Sequence, residues 1–283
     1  MKIIECPRDA MQGLAEFIPT NLKISYINQL LKVGFDTIDF GSFVSAKAIP
    51  QMRDTVEVVN KLNWRDSSTT LLAIVANIRG AEEASACEGI TYLGFPLSIS
   101  ETFQMRNTNK SIAEALNTLA EIKNICVNKN KKLVVYISMG FGNPYNDPYE
   151  PELVNNFIDI LTTLGSDVIS IADTSGVATT LQIKSLLTTL TVQYPTTELG
   201  LHLHSNPSTA REKIDAAYQA GCRRLDSAIK GYGGCPMAAD HLVGNLPTEI
   251  ILDYLNETGE SNNINRREFQ AAMALADKIF PKD

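Results

Sequence analysis

Short runs rich in β-branched and aromatic residues alternate along the whole chain with longer stretches of helical period, and that alternation confines the fold to the α/β architectures. The order begins KIIEC, the helix NLKISYINQLLKVG, TIDFGSF, a helix through VEVVNKL, TTLLAIVA, RGAEEASACEG, ITYLGFPLS and the long helix SIAEALNTLAEIKNICVNKN. It continues with KLVVYISMGF, PELVNNFIDILTTLG, VISIADTS, LQIKSLLTTLTVQYP, ELGLHLHS, STAREKIDAAYQAG, RRLDSAI and a helix around TEIILDYLNETG. Eight strands each precede a helix with nothing left over, which favours closure into a (β/α)8 TIM barrel over an open doubly wound sheet. NRREFQAAMALADKIF is then an extra C-terminal helix. No linker, low-complexity tract or second repeat interrupts the pattern, so residues 1–283 read as one domain.

Composition narrows the partners. A chain of 283 residues, 44% hydrophobic and 20% charged, can bury the core such a barrel needs. Its net charge of -7 argues against nucleic acid or an anionic membrane, which reward basic patches, and leaves a small molecule as the expected partner. The start MKIIECPRDAM has no apolar stretch after Lys2, and no run is long enough to cross a bilayer, so the expected compartment is the cytoplasm. The five cysteines are scattered without paired spacing and read as reduced thiols.

In such barrels the reactive side chains cluster where strands end. Polar residues at those places are Arg8 and Asp9 after strand one, Asp39 in strand two, Asp173 after strand six, His202 and His204 in strand seven, and Asn245 beyond strand eight. Two histidines at i and i+2 of one strand share a face, and with only three in the chain that pairing favours metal ligation over packing. Adding Asp9 and Asn245 gives two imidazoles and two oxygens, a set suited to Mg²⁺ or Mn²⁺ with water completing six positions, zinc being the poorer fit. Asp39 and Asp173 have a plainer alternative as helix caps or turn formers, and Arg8 beside Asp9 could be an ordinary ion pair. The loop GYGGCPMAADHLVGN joins Gly231, Gly233 and Gly234 to Cys235, a composition for a mobile segment that can fold over a site, although on composition alone a free cysteine in a turn is the favoured reading of Cys235. His241 reads as a surface or structural residue.

These motifs resemble one family. PRDAMQ, IDFGSFVSAKAIPQM, ADTSGV, HLHSN and GYGGCPMAADHLVGNL stand in the order and near the spacing of hydroxymethylglutaryl-CoA lyase, within the wider group of metal-dependent barrel lyases and Claisen-type synthases. The resemblance runs nearly end to end. It implies that Asp9, His202, His204 and Asn245 hold the divalent metal, that Arg8 faces the thioester oxygen with Gln12 beside it as a substrate-binding residue, and that Cys235 is the catalytic thiol. Asp39 and Asp173 align with other active-site carboxylates. The substrate implied is an acyl-CoA thioester, 3-hydroxy-3-methylglutaryl-CoA, cleaved to acetyl-CoA and acetoacetate; a homodimer and leucine breakdown follow by the same analogy.

The chain departs from the family's usual residues at Ala10 (usually Gly), Asp39 (usually Glu) and Ser205 (usually Asp). The departures keep a related synthase or aldolase, acting on another acyl-CoA or a 2-oxo acid, as the alternative reading. A barrel that only binds metal or acyl-CoA is the nonenzymatic one, favoured only if Cys235 and Arg8 prove dispensable. No phosphate loop marks the nucleotide end of CoA, for which Lys47 is a candidate.

Overall fold

A computed structural model describes residues 1–234 and 243–280. Its chain order is β1 (Lys2–Glu5), α1 (Pro7–Gln12), α2 (Thr20–Leu30), β2 (Thr37–Ser42), α3 (Thr55–Asn60), β3 (Thr70–Ile74), α4 (Ile78–Ala86) and β4 (Ile90–Ser98). Then follow α5 (Glu101–Thr108), α6 (Ile112–Asn128), β5 (Lys132–Ser138), α7 (Pro151–Thr163), β6 (Val168–Asp173) and α8 (Thr180–Gln193). The last elements are β7 (Glu198–Leu203), α9 (Pro207–Gln219), β8 (Arg224–Ser227), α10 (Thr248–Glu257) and α11 (Arg266–Ile279). All eight strands are parallel to their neighbours, and β8 pairs back onto β1 to close the barrel.

The strands read as nearly continuous apolar runs because both of their faces are covered. Leu72, Ile74, Tyr92, Val134, Tyr136 and Val168 form an inner cluster, while the alternate residues, such as Leu71, Leu93, Val135 and Ile169, join the larger core under the helices. Against them α6 turns Leu119 and Ile122 and α7 turns Val154 and Ile158, all fully buried. Each such side chain contributes about 1.5–3 kcal/mol relative to exposure. The C-terminal helix begins at an Asn265 cap and packs beside α2, Phe269 meeting Phe35 at 6.4 Å between ring centroids. Just beyond it, Phe280 stacks on Tyr232 at 4.4 Å, tying the helix to the segment that follows β8. Among the described residues no helix is long and apolar enough to cross a membrane.

Two helices exceed the sequence expectation. Residues 7–12 form α1 rather than a plain loop, Pro7 taking the first position where its missing N–H costs nothing. The second is α5, whose Ser100 hydroxyl accepts from the Phe103 amide at 3.1 Å, an N-cap legible in SETF.

Candidate active site

The strand ends face one cleft of about 460 Å³, with His202, His204, Asp9 and Arg8 in its floor and Ile49, Ile74, Pro96 and Phe103 in its apolar wall. Because α1 starts immediately after β1, Arg8 and Asp9 are presented over the barrel mouth rather than out to solvent, and both are buried. His202 points inward from β7. His204 lies just past the strand, where it makes an isolated bridge to Asn245 on the chain returning from β8.

Asp9, His202 and His204 place one ligand atom each within 4.8 Å of one another. Asn245 joins them, its Nδ2 donating to Asp9 Oδ2 at 2.7 Å and to the Tyr232 carbonyl at 2.9 Å. Each imidazole is oriented by its Nδ1, in His202 against Asp226 Oδ2 at 3.1 Å and in His204 against the Thr174 carbonyl at 3.1 Å. Burial depresses the His204 imidazole to about 4, keeping it neutral, and a carbonyl can only accept, so the proton sits on Nδ1 and the lone pair on Nε2. His204 Nε2 is buried and has no hydrogen-bond partner among the described residues. Burial opposes the charge on Asp9, but Arg8 and the two imidazoles hold its carboxyl down to about 2. An anionic oxygen and two oriented imidazole nitrogens around one point fit a divalent cation.

Arg8 stands beside this cluster with its whole fork engaged. Nε donates to Asp39 Oδ2 at 3.0 Å, and Nη1 donates to Asp9 Oδ1 at 3.0 Å and Gln12 Oε1 at 2.8 Å. Gln12 Nε2 donates in turn to Asp9 Oδ1 at 2.7 Å. Asp39 is 1% exposed, and burial raises its carboxyl to about 6 although Arg8 pulls the other way.

The structure does not bring Asp173 to this cluster. Its carboxylate accepts from Lys213 Nζ at 2.8 Å and from the Ala178 amide at 3.1 Å, and Lys213 also donates to the His204 carbonyl at 2.8 Å. Lys47 is exposed on the chain between β2 and α3. Cys235 and His241 lie outside the described residues. Gly233 is described, and its φ of +92° together with a built Cβ only 2.6 Å from Ala10 Cα makes glycine the residue that lets this strand of loop cross α1. Sequence reasoning missed Asp226 and Lys213. The first carried a signal, since Arg224 and Asp226 are charged residues at alternate positions of a barrel strand; the second reaches in from a helix and carried none.

The relatives agree with one another. Hydroxymethylglutaryl-CoA lyase YngG of Bacillus subtilis (strain 168) is 34% identical over 276 residues, 98% of this chain and 91% of its own length. The cytoplasmic 3-hydroxy-3-methylglutaryl-CoA lyase of Rattus norvegicus is 32% identical over 96% of this chain and 79% of its own. A solved HMG-CoA lyase from Acinetobacter baumannii, in complex with coenzyme A and 3-methylmalate, has a TM-score of 0.90 at 30% identity, covering 97% of this chain and 90% of that one. The HMGL-like family model matches residues 2–276. The chain belongs to the HMGL-like family. The carboxyl transferase domain of Rhizobium etli pyruvate carboxylase, at 13% identity and TM-score 0.69 over 99% of this chain and 47% of that one, shares only the barrel.

Within the HMGL-like frame, two of the departures can be located. Arg8 closes onto the short carboxylate of Asp39, so the missing methylene leaves no gap between them. Ser205 is buried, and its amide donates to the Gly244 carbonyl at 2.9 Å, fastening the chain that carries Asn245.

Proposed function

We propose that the chain splits 3-hydroxy-3-methylglutaryl-CoA into acetyl-CoA and acetoacetate, with Mg²⁺ or Mn²⁺ held by Asp9, His202, His204 and Asn245. The observation that carries this reading is the convergence of those four residues beside Arg8, in one cleft of a chain about one-third identical to hydroxymethylglutaryl-CoA lyases. Two nitrogens and two oxygens suit a hard to borderline ion that keeps water ligands. When bound, the ion supplies Lewis acidity that makes the substrate's 3-hydroxyl easier to deprotonate.

The chain's own residues do the rest. Arg8 is permanently charged and held by three side chains, so its positive charge is in place before an enolate oxygen develops, without reorganisation. Asp39 and Gln12 keep that fork aimed. Asp173 acts on the site through Lys213, which grips the His204 carbonyl. The apolar wall of Ile49, Ile74, Pro96 and Phe103 keeps water from the enolate carbon, and Cys235 exchanges the proton, so that the one leaving the 3-hydroxyl is the one the enolate carbon gains. In this reading the assembly is a homodimer, the compartment the cytoplasm and the pathway leucine breakdown.

The test is acetoacetate release from 3-hydroxy-3-methylglutaryl-CoA by purified protein, with Mg²⁺ or Mn²⁺ and again after EDTA. Release that disappears with EDTA and returns with metal is expected. No release by protein that binds Mn²⁺ would overturn the substrate and turn attention to Asp39 and Ser205, as marks of a related acyl-CoA reaction.

A further inference from the structure

Below the metal cluster the barrel interior is polar where it should be apolar. Tyr136 of β5 is in register with Ser170 of β6, and Ser170 with Gly200 of β7. Leu201 pairs with Leu225 and His202 with Asp226, which sets Arg224 of β8 beside Gly200 one step lower. Alternate residues of a strand share a face, so Arg224 lies directly under Asp226, and Gly200 under His202. A Cβ built on Gly200 would lie 3.0 Å from Arg224 Cδ. The arginine's stem therefore occupies the space that a side chain at position 200 would need.

Arg224 is 1% exposed. Its Nη1 reaches Glu198 at 3.2 Å and Asp36 at 3.6 Å, both toward the far mouth of the barrel. Among the described residues its Nε and Nη2 have no partner, and the same holds for Tyr136 Oη, Ser170 Oγ and Asp226 Oδ1. These five atoms sit on inward-facing residues of two adjacent layers, and they are complementary: two charged donors, two hydroxyls that can donate or accept, and one carboxylate acceptor. A buried polar atom without a hydrogen bond is costly, more so when charged, so such a group of atoms is stable only when something bridges it. Water does so in protein interiors, making about three bonds to otherwise unsatisfied groups, and the small residues Ser170 and Gly200 leave it room.

We infer that buried water joins Arg224 Nε and Nη2 to Asp226 Oδ1, with the hydroxyls of Tyr136 and Ser170 completing its shell, and that Arg224 is thereby a positioning residue for His202. The inference rests on the metal reading of Asp9, His202 and His204. Both oxygens of Asp226 are then committed, Oδ2 to His202 Nδ1 above and Oδ1 to the water below. The carboxylate cannot swing up among the ligands, the imidazole cannot turn about its ring axis, and His202 Nε2 stays aimed at the metal point. The group hydrogen-bonded to a metal ligand, here Asp226, typically alters affinity by about 10- to 100-fold when lost, and Arg224 acts one step further out, through that carboxylate.

The experiment measures Mn²⁺ binding to purified protein by calorimetry and by the electron paramagnetic resonance of the bound ion, with free coenzyme A binding as a control. Arg224→Met, which keeps the stem and loses the charge, is expected to weaken Mn²⁺ by roughly 3- to 10-fold, less than loss of the Asp226 carboxylate itself, to broaden the spectrum, and to leave coenzyme A affinity unchanged. Arg224→Lys should recover part of the loss. Arg224→Met with Mn²⁺ affinity within about twofold of the parent, alongside a large loss in Asp226→Asn, would overturn the role of Arg224. Should Arg224→Met fail to fold, the double change Tyr136→Phe with Ser170→Ala removes the shell hydroxyls and must lower Mn²⁺ affinity if the inference holds. A crystal structure at high resolution with no water between Arg224 and Asp226 overturns the bridge itself. Parent protein that binds no Mn²⁺ would instead sink the metal reading, leaving the bridge to be judged by crystallography.

Discussion

His204 Nδ1 sits 3.1 Å from the carbonyl oxygen of Thr174, and this one contact decides which nitrogen of the ring faces Asp9. A carbonyl has no proton to give, so the tautomer is fixed by backbone before any metal arrives. The ring needs no reorganisation on binding. His204→Ala should therefore lower Mn²⁺ affinity by at least about 100-fold while leaving the far-ultraviolet dichroism unchanged, because the side chain makes no other hydrogen bond among the described residues. Unaltered Mn²⁺ affinity in that variant would remove His204 from the ligand set.

Arg8 offers a sharper test, since its planar fork serves Asp39, Asp9 and Gln12 together. A lysine ammonium keeps the charge but cannot reach three partners in one plane. Arg8→Lys is expected to lose about 10²- to 10³-fold in kcat, the range for removing an oriented donor from a developing oxyanion, with Mn²⁺ binding retained. Near-native turnover from steady-state acetoacetate assays would show that charge alone suffices and that the fork has no role.

The barrel was legible because its strands are buried on both faces and its helices on one, so the periodicity switched eight times and the structure closes in that order. The candidate cluster was legible in part, because His202 and His204 stand two apart at the end of a strand, where barrels of this kind gather their reactive side chains. Local spacing says nothing of partners that arrive from other elements. Lys213 is 40 residues from Asp173 and on a helix, and the carboxylate of Asp39 shows its Arg8 contact only once β2 is folded beside α1. The short helix α1 was not legible, since PRDAMQ has no apolar period of its own.

The pair formed by Asp173 and Lys213 predicts a stability result. Both are almost fully buried and 2.8 Å apart, so removing one partner leaves an uncompensated charge in the interior. Lys213→Met should cost about 3–5 kcal/mol in urea unfolding, and adding Asp173→Asn should recover a large part of it. A double variant no more stable than Lys213→Met would mean that the pair is not coupled, and that Asp173 has a separate role in the cleft.

Glu5 closes the barrel from below the loop that carries Asn245. It is fully buried, accepting from the Ile229 amide at 2.8 Å on the outgoing side and from the Thr248 hydroxyl at 2.6 Å on the returning side. Burial raises its carboxyl from 4.5 to about 8, the two hydrogen bonds lowering it only in part. The folded state therefore holds this proton more tightly than the unfolded chain does. Its stabilising contribution is complete below pH 4.5 and is lost progressively as the pH rises through about 8, the reverse of a salt-bridged carboxylate. Glu5→Gln keeps the acceptor for Ile229 and cannot ionise, so its unfolding free energy should fall less than that of the parent between these limits. Urea titrations of both proteins across that range decide the matter, since parallel pH profiles would show that Glu5 is not the group that titrates.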